Sequence, residues 1–118
     1  MKIKVSEKDV QRTILAWCEL QQNVSKLMFW RNNTGAVVFE RKNKSSFVRF
    51  GSVGSPDIFI LSNGKLYGVE CKGSTGKLSD AQAEFGRKMM VQGGEYIVAH
   101  DLNDVIKVFK GRSGKDEK

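Results

Sequence analysis

The sequence contains little histidine, proline or cysteine, and it has no long apolar run. A single histidine, His100, gives little basis for a histidine-dependent mechanism. The two cysteines, Cys18 and Cys71, lack the spacing of a zinc site, so we expect two core thiols. Every apolar run is far shorter than the roughly 20 residues of a membrane span, and the start "MKIKVSEKDV" lacks the apolar centre of a signal peptide. We therefore expect an intracellular protein that has no membrane partner.

Length and composition favour one folded, basic domain. The chain has 118 residues, of which 40% are hydrophobic, and no linker or repeat divides it. We expect the domain to span residues 1–110, and the segment "GRSGKDEK" at 111–118, which has no apolar residue, to be a disordered tail. Lys and Arg outnumber Asp and Glu by 20 to 13, and the net charge of +7 favours a polyanionic partner such as nucleic acid. Charge alone does not decide this point.

Helix caps and alternating apolar residues predict the order of the elements. Ser6 with Asp9, and Ser79 with Gln82, are N-terminal capping patterns that precede apolar residues at helical spacing. The segment that starts at "RNNTG" indicates a turn. Further along the chain we expect strands at 37–41 and 47–50 around a polar loop at 43–46, a hairpin in "PDIFILSNGKLYGVECK", a strand in "EYIVAH" and a helix in "LNDVIKVFK". This order predicts an α/β domain whose mixed central sheet is flanked by helices and has the hairpin in its middle.

The hairpin places two carboxylates opposite each other. Asn63-Gly64 between alternating apolar residues predicts a two-residue type I′ turn, in which Ser62 faces Lys65. Counting back from this pair puts Asp57 opposite Glu70. Like charges in directly opposed positions destabilise a sheet, so this pair needs compensation.

Three kinds of compensation are chemically reasonable. One carboxylate takes up a proton, Lys72 pairs with the carboxylates, or a divalent cation binds between them. Strand alternation puts Glu70 and Lys72 on the face of Asp57, but a salt bridge to Lys72 does not explain the second carboxylate. The two carboxylates and the main-chain carbonyl of Cys71 are hard oxygen ligands that suit Mg²⁺ or Mn²⁺. Lys72 would then act on the attacking water or stabilise charge on a phosphate.

These residues carry a resemblance to a nuclease family. Pro56-Asp57, separated by twelve residues from Glu70-Cys71-Lys72, resembles the PD-(D/E)xK signature of metal-dependent nucleases. The segments "FWRNNTGAV", "VRFGSVGSPDIFIL", "GVECKG" and "KLSDAQAEF" together resemble the virus-type replication-repair nuclease (VRR-NUC) family. The resemblance covers about residues 7–98.

The resemblance implies a fold, an activity and a partner. The fold is a restriction-endonuclease-like core of the αβββαβ type, and the activity is hydrolysis of DNA phosphodiester bonds with Mg²⁺ or Mn²⁺. The family also implies a homodimer that acts on branched DNA such as four-way (Holliday) junctions, in phage or bacterial recombination and repair. The compartment would then be the cytoplasm of a bacterial or phage-infected cell.

The resemblance also implies roles for single residues. Glu7 would help to build the metal site, Asp57 and Glu70 would bind metal, Lys72 would be catalytic, and Gln82 would lie at the edge of the site. From the residues alone, Glu7 begins the inward stripe of helix one, but it is also an acidic residue of the kind the helix dipole favours. Gln82 is also expected to cap Ser79, a role that would compete for its side chain. The residues expected at a DNA-facing surface are Arg31, Asn32, Asn33 and Lys77.

The alternative from another class is a non-catalytic nucleic-acid-binding module. In that case Asp57, Glu70 and Lys72 would form a structural ion-pair network. Independently of this choice, the chemistry of Arg31 to Asn33 alone favours a simple loop. Metal-dependent cutting separates the two alternatives, because only the nuclease predicts it.

Overall fold

The computed structural model describes residues 4–32, 35–50 and 52–116, which contain three helices and six strands. Asn33, one of the expected DNA-facing residues, lies outside this range. In chain order the elements are α1 (Glu7–Asn23), β1 (Met28–Arg31), β2 (Gly35–Arg41), β3 (Lys44–Phe50), β4 (Ile58–Ser62), β5 (Lys65–Cys71), α2 (Asp80–Val91), β6 (Glu95–Ala99) and α3 (Leu102–Asp116).

Four of the strands form a mixed sheet in the order β1-β4-β5-β6. β4 is antiparallel to both β1 and β5, whereas β5 is parallel to β6. The predicted hairpin, β4 and β5, is therefore in the middle of the sheet, as expected. Asn63 and Gly64 have φ values of 50° and 78°, and Ser62 pairs with Lys65. Two positive φ values are what a type I′ turn requires, so the predicted register is confirmed.

The two faces of β5 pack against different helices. Tyr67, Val69 and Cys71 are buried with the apolar residues of α1 and α3, and the Tyr67 and Phe109 rings are 4.6 Å apart. On the other face, a Cβ atom on Gly68 would lie 3.1 Å from the sulfur of Met89 in α2. Cys18 and Cys71 are buried free thiols, as predicted, and burial raises the pKa of Cys18 to about 12.

β2 and β3 form a separate two-stranded sheet. Both strands were predicted, but the polar loop expected at 43–46 is wrong, because β3 already begins at Lys44. The turn consists of Lys42 and Asn43, whose φ values are 43° and 64°. Lysine is an unusual residue at positive φ, so only Asn43 is of the residue type that usually indicates such a turn.

β1 was not predicted. The sequence predicted only a turn that starts at Arg31, yet Met28–Arg31 pairs with β4 at the edge of the sheet. The strand has only four residues, with Phe29 packed against the core while Met28 and Trp30 are exposed. So short an alternation gives a weak sequence signal.

A mixed sheet with helices is as predicted, but the sheet contains the unpredicted β1, whereas the predicted strands β2 and β3 lie outside it. Helix α1, the strands β1, β4 and β5, helix α2 and strand β6 give αβββαβ, and α3 comes after them. The last helix continues to Asp116, into the segment for which we expected a disordered tail. Within the described part of the chain, no helix is both long enough and apolar enough to cross a membrane.

Candidate active site

The Asp57 carboxylate is held at the open end of the central hairpin. β4 begins at Ile58, which pairs with Val69, so the preceding residue lies beside Glu70. The Asp57 N–H donates to the Val69 carbonyl over 2.9 Å, and the Cys71 N–H donates to Asp57 Oδ2 over 2.8 Å. The end of β5 therefore fixes both the main chain and the side chain of Asp57.

Asn32 braces the segment that leads into Asp57. Its main-chain N–H donates to the Asp57 carbonyl over 2.8 Å, and its side-chain Nδ2 donates to Ser55 Oγ and the Pro56 carbonyl, each also over 2.8 Å. Both side-chain N–H groups thus have partners within the fold. The structure gives Asn32 a positioning role beside the site, where the sequence had suggested a DNA-facing residue.

Glu70 is buried but has a polar partner at each oxygen. Its residue surface is 3% exposed. Gln82 Nε2 donates to Glu70 Oε2 over 3.0 Å, and Lys72 Nζ lies 3.8 Å from the same oxygen. The Tyr96 hydroxyl lies 3.4 Å from Glu70 Oε1. This carboxyl group therefore lies among three potential donors, which come from α2, from β6 and from the residue that follows β5.

The surroundings of Glu70 favour its protonated form. Burial, with the charge of Asp57 as the second cause, raises the pKa of Glu70 to about 7, although Lys72 acts in the opposite direction. A hydrogen bond to Asp57 and the charge of Glu7 add to the rise. Of the three expected kinds of compensation, the raised pKa of Glu70 favours uptake of a proton, and Lys72 supplies a nearby positive charge.

Gln82 fulfils two roles at once. Ser79 Oγ accepts from the Gln82 N–H, and Gln82 Oε1 accepts from the Ser79 N–H over 2.9 Å, which completes the predicted capping box of α2. The other end of the same amide donates to Glu70. The expectation that these roles compete is therefore wrong, because an amide has separate donor and acceptor ends.

Tyr96 is a site residue that the sequence did not reveal. It lies on β6, where it pairs with Gly68, while Glu70 pairs with Val98. A Cβ atom on Gly86 would lie 2.8 Å from the Tyr96 ring, so α2 needs a glycine at this contact. Burial raises the pKa of Tyr96 well above its usual range, and Glu70 adds to the rise, so the hydroxyl stays protonated. Predicting Tyr96 as a site residue would have required the parallel register of β5 with β6. Local patterns in the sequence do not indicate that register.

Glu7 lies near the two carboxylates but does not complete a three-residue ligand group. It is an exposed residue at the start of α1. Hydrogen bonds between Val5 and Ser74 hold this start against the loop that follows Lys72. Among the residues that the structure describes, no three His, Cys, Asp or Glu side chains are arranged to hold a metal ion.

The remaining DNA-facing candidates are exposed and far apart in the chain. Lys77 lies in the loop between β5 and α2. Arg31 ends β1 and lines a groove of about 310 Å³ with Lys8, Gln11, Arg12 and Leu15 of α1. The sequence did not single out the three α1 polar residues, since they belong to the solvent side of an amphipathic helix.

A larger cleft of about 570 Å³ lies at the turn end of the hairpin, away from the carboxylates. No Asp, Glu, His, Cys, Ser or Thr is among its lining residues, which are Asn63, Gly64, Lys65, Leu66, Phe85, Lys88, Met89, Gln92, Gly93 and Gly94. The chemistry of the molecule is therefore concentrated at the other end of the sheet.

The donor set of the site fits a hard divalent cation. Mg²⁺ typically binds one or two carboxylates and keeps several waters, so Asp57 and Glu70 suffice without a third acidic side chain. The N–H and carbonyl of one strand residue point to the same side, and the Cys71 N–H points to Asp57. Its carbonyl therefore faces the same side, as the sequence had suggested for a ligand.

The comparisons with known proteins do not extend this description. No protein-family model, no curated protein and no solved structure matches the chain.

Proposed function

We propose that this chain is a metal-dependent DNA endonuclease with a restriction-endonuclease-like core of the VRR-NUC type. The observation that carries the proposal is the buried Glu70 carboxyl group, which lies opposite Asp57 in the hairpin and has Lys72 Nζ 3.8 Å away. The αβββαβ order around the central sheet supports the same fold. A net charge of +7 suits a polyanionic substrate.

Two carboxylates and one carbonyl would hold a Mg²⁺ or Mn²⁺ ion. Asp57, Glu70 and the main-chain carbonyl of Cys71 would be the ligands, and a bound ion would act as a Lewis acid that lowers the pKa of a water molecule and offsets charge on the scissile phosphate. Before it binds metal, Glu70 must release the proton that its surroundings favour. Binding should therefore strengthen as the pH rises.

Lys72 contributes a positive charge that is largely shielded from solvent. Its side chain is 12% exposed, and Gly76 packs against its aliphatic carbons. In the proposed reaction its ammonium group donates to the attacking water or to the phosphate, and so stabilises developing negative charge. Gln82 and Tyr96 position Glu70 from α2 and β6.

A second function, a non-catalytic nucleic-acid-binding module, also has an observation in its favour. Both Glu70 oxygens already have protein partners, and its pKa of about 7 allows it to be protonated at neutral pH. Such a network satisfies a buried carboxyl group without any metal. The chain would then bind DNA through its basic surface and leave it intact.

A cleavage assay on labelled four-way junction DNA tests the proposal. Wild-type protein is incubated with Mg²⁺, with Mn²⁺ and with a chelator, and compared with Asp57→Asn and Lys72→Met. The matched control is Lys26→Gln, since Lys26 is an exposed lysine whose carbonyl accepts from Ser62 at the opposite end of the sheet.

We expect metal-dependent cutting by the wild type and by Lys26→Gln. Asp57→Asn and Lys72→Met should lose at least about a hundredfold in rate while they retain DNA binding. Intact DNA in every reaction, together with binding by the wild type, would support the binding module instead.

A further inference from the structure

A basic groove runs between α1 and the end of β1. It is the groove of about 310 Å³ lined by Lys8, Gln11, Arg12, Leu15 and Arg31. None of these lining residues is acidic, and three of them carry a positive charge. Leu15 and Gln11 are half-buried, whereas the three cations are exposed. The groove is therefore positive, open to solvent and large enough for a phosphodiester group.

The residues on the two sides of the groove are next in the chain to segments that contact the candidate active site. Lys8 lies at the start of α1, which hydrogen bonds between Val5 and Ser74 hold against the loop that follows Lys72. On the other side, Arg31 precedes Asn32, whose N–H donates to the Asp57 carbonyl. Both sides of the groove are therefore adjacent in the chain to segments that contact the candidate active site.

The fold alone does not favour this arrangement of charges. Lys8 and Arg12 lie four residues apart on one helix, where like charges repel and destabilise the helix. Arg12 has a partner in Asp9 at 3.4 Å, but both side chains are more than half exposed, and exposed pairs contribute little. A bound anion would relieve the repulsion.

We propose that Lys8, Arg12 and Arg31 form a binding site for nucleic-acid backbone phosphates next to the cleaved bond. The proposal rests on the proposed function, because the nucleic acid in the groove would be the strand that is cleaved. It assigns these residues to affinity and substrate placement, with no part in the chemical step. Phosphate contacts of this kind position a nucleic acid without reading its sequence.

Binding without metal tests this site separately from cleavage. The probes are a four-way junction and a linear duplex of the same sequence, titrated with protein in a chelator at several salt concentrations. The groove variant combines three substitutions: Lys8→Gln, Arg12→Gln and Arg31→Gln. The control variant removes the same charge elsewhere on the surface: Lys26→Gln, Lys107→Gln and Lys110→Gln.

We expect the groove variant to bind both probes at least tenfold more weakly than the control variant. The slope of log affinity against log salt should fall by roughly 2 to 3, since each lost phosphate contact removes about 0.9. Thermal unfolding should remain at or above the wild-type temperature. The single variant Arg31→Gln, at an exposed strand end, gives a smaller loss in the same direction should the triple variant fold poorly.

Equal losses in the groove and control variants would overturn the proposal, because net charge alone would then explain them. If the groove variant cuts DNA and binds it as tightly as the control variant does, the groove proposal is refuted and the proposed nuclease function is unaffected. If the wild type binds DNA without cutting and only the groove variant loses affinity, the groove stands and the nuclease fails.

Discussion

The Glu70 carboxyl group links the charge state of the site to the stability of the fold. Its pKa is raised from an ordinary value near 4.5 to about 7, first by burial and then by Asp57. Between these two values the folded state holds a proton that the unfolded state has released. The free energy of unfolding must therefore decrease as the pH rises through this window.

We predict that metal-free protein loses stability between pH 5 and pH 7.5, by up to about 3 kcal/mol. The physical reason is that the buried carboxyl group must ionise beside Asp57 at the higher pH. Urea unfolding in a chelator measures the effect. Asp104 does not interfere, because the backbone N–H of His100 lowers the pKa of that carboxylate, and a lowered pKa acts only at more acidic pH.

The control for this prediction is Glu70→Gln. The new amide can accept from Gln82 through its oxygen and donate to the Tyr96 hydroxyl through its nitrogen, so packing is preserved. The variant should be at least as stable as the wild type at pH 7 and should lack the pH-dependent loss. A wild-type protein that becomes more stable over this range, or a variant with the same slope, would contradict the assignment to Glu70.

At this scale the sequence predicts some positions of the site and not others. Asp57 and Glu70 follow from the Asn-Gly turn, because a two-residue hairpin has one register and the count is local. Tyr96 depends on a pairing between β5 and β6 that crosses a whole helix. Its role depends on Gly86 leaving room for the ring, which no local pattern in the sequence indicates.

Helix α2 joins its own N-terminal cap to the candidate active site. Gln82 occupies the third position of the helix, accepts from Ser79 and donates to Glu70. Two substitutions separate these contacts. Ser79→Ala removes a cap oxygen and leaves the contact with Glu70, whereas Gln82→Glu keeps an acceptor for Ser79 and removes the donor to Glu70.

We predict different pH profiles for these two variants. Ser79→Ala should cost about 1 kcal/mol at both pH 5 and pH 8, as is typical for a lost cap. Gln82→Glu should cost little at pH 5 and more at pH 8, because a second ionised carboxylate then faces Glu70. Urea unfolding in a chelator measures both. Parallel profiles would mean that the Gln82 contact with Glu70 does not affect the titration.

The elements themselves were predictable in proportion to the strength of their local signals. α1 and α2 begin where their capping residues indicate, after Ser6 and Ser79. β1 was missed because four residues give too short an alternation, and its strand state comes from pairing with β4. The turn at Lys42 and Asn43 was misplaced because its first residue is a rare one at positive φ.

In the part of the chain that the structure describes, one group of residues forms the candidate active site, and the chain has a net charge of +7. Resolution of a four-way junction requires two cuts at symmetric positions. A dimer with two-fold symmetry would supply both sites, and such dimers are the commonest soluble homo-oligomers.

We predict a dimer in solution that binds four-way junctions more tightly than linear duplex. Affinity should fall by on the order of 10³ between about 50 and 200 mM salt if about six phosphates are contacted. Sedimentation and salt-titrated binding measure these properties. A stable monomer that prefers flaps or single-stranded ends would contradict the junction as substrate and would leave the metal chemistry unaffected.

The most direct test of the central claim is the position of a bound ion. Crystals grown with Mn²⁺ above pH 7, where Glu70 can ionise, would show manganese by its anomalous scattering. The account predicts a peak in contact with Asp57, Glu70 and the main-chain carbonyl of Cys71. Saturating Mn²⁺ without a peak at this position, with the two carboxyl groups still hydrogen-bonded to each other, would contradict it.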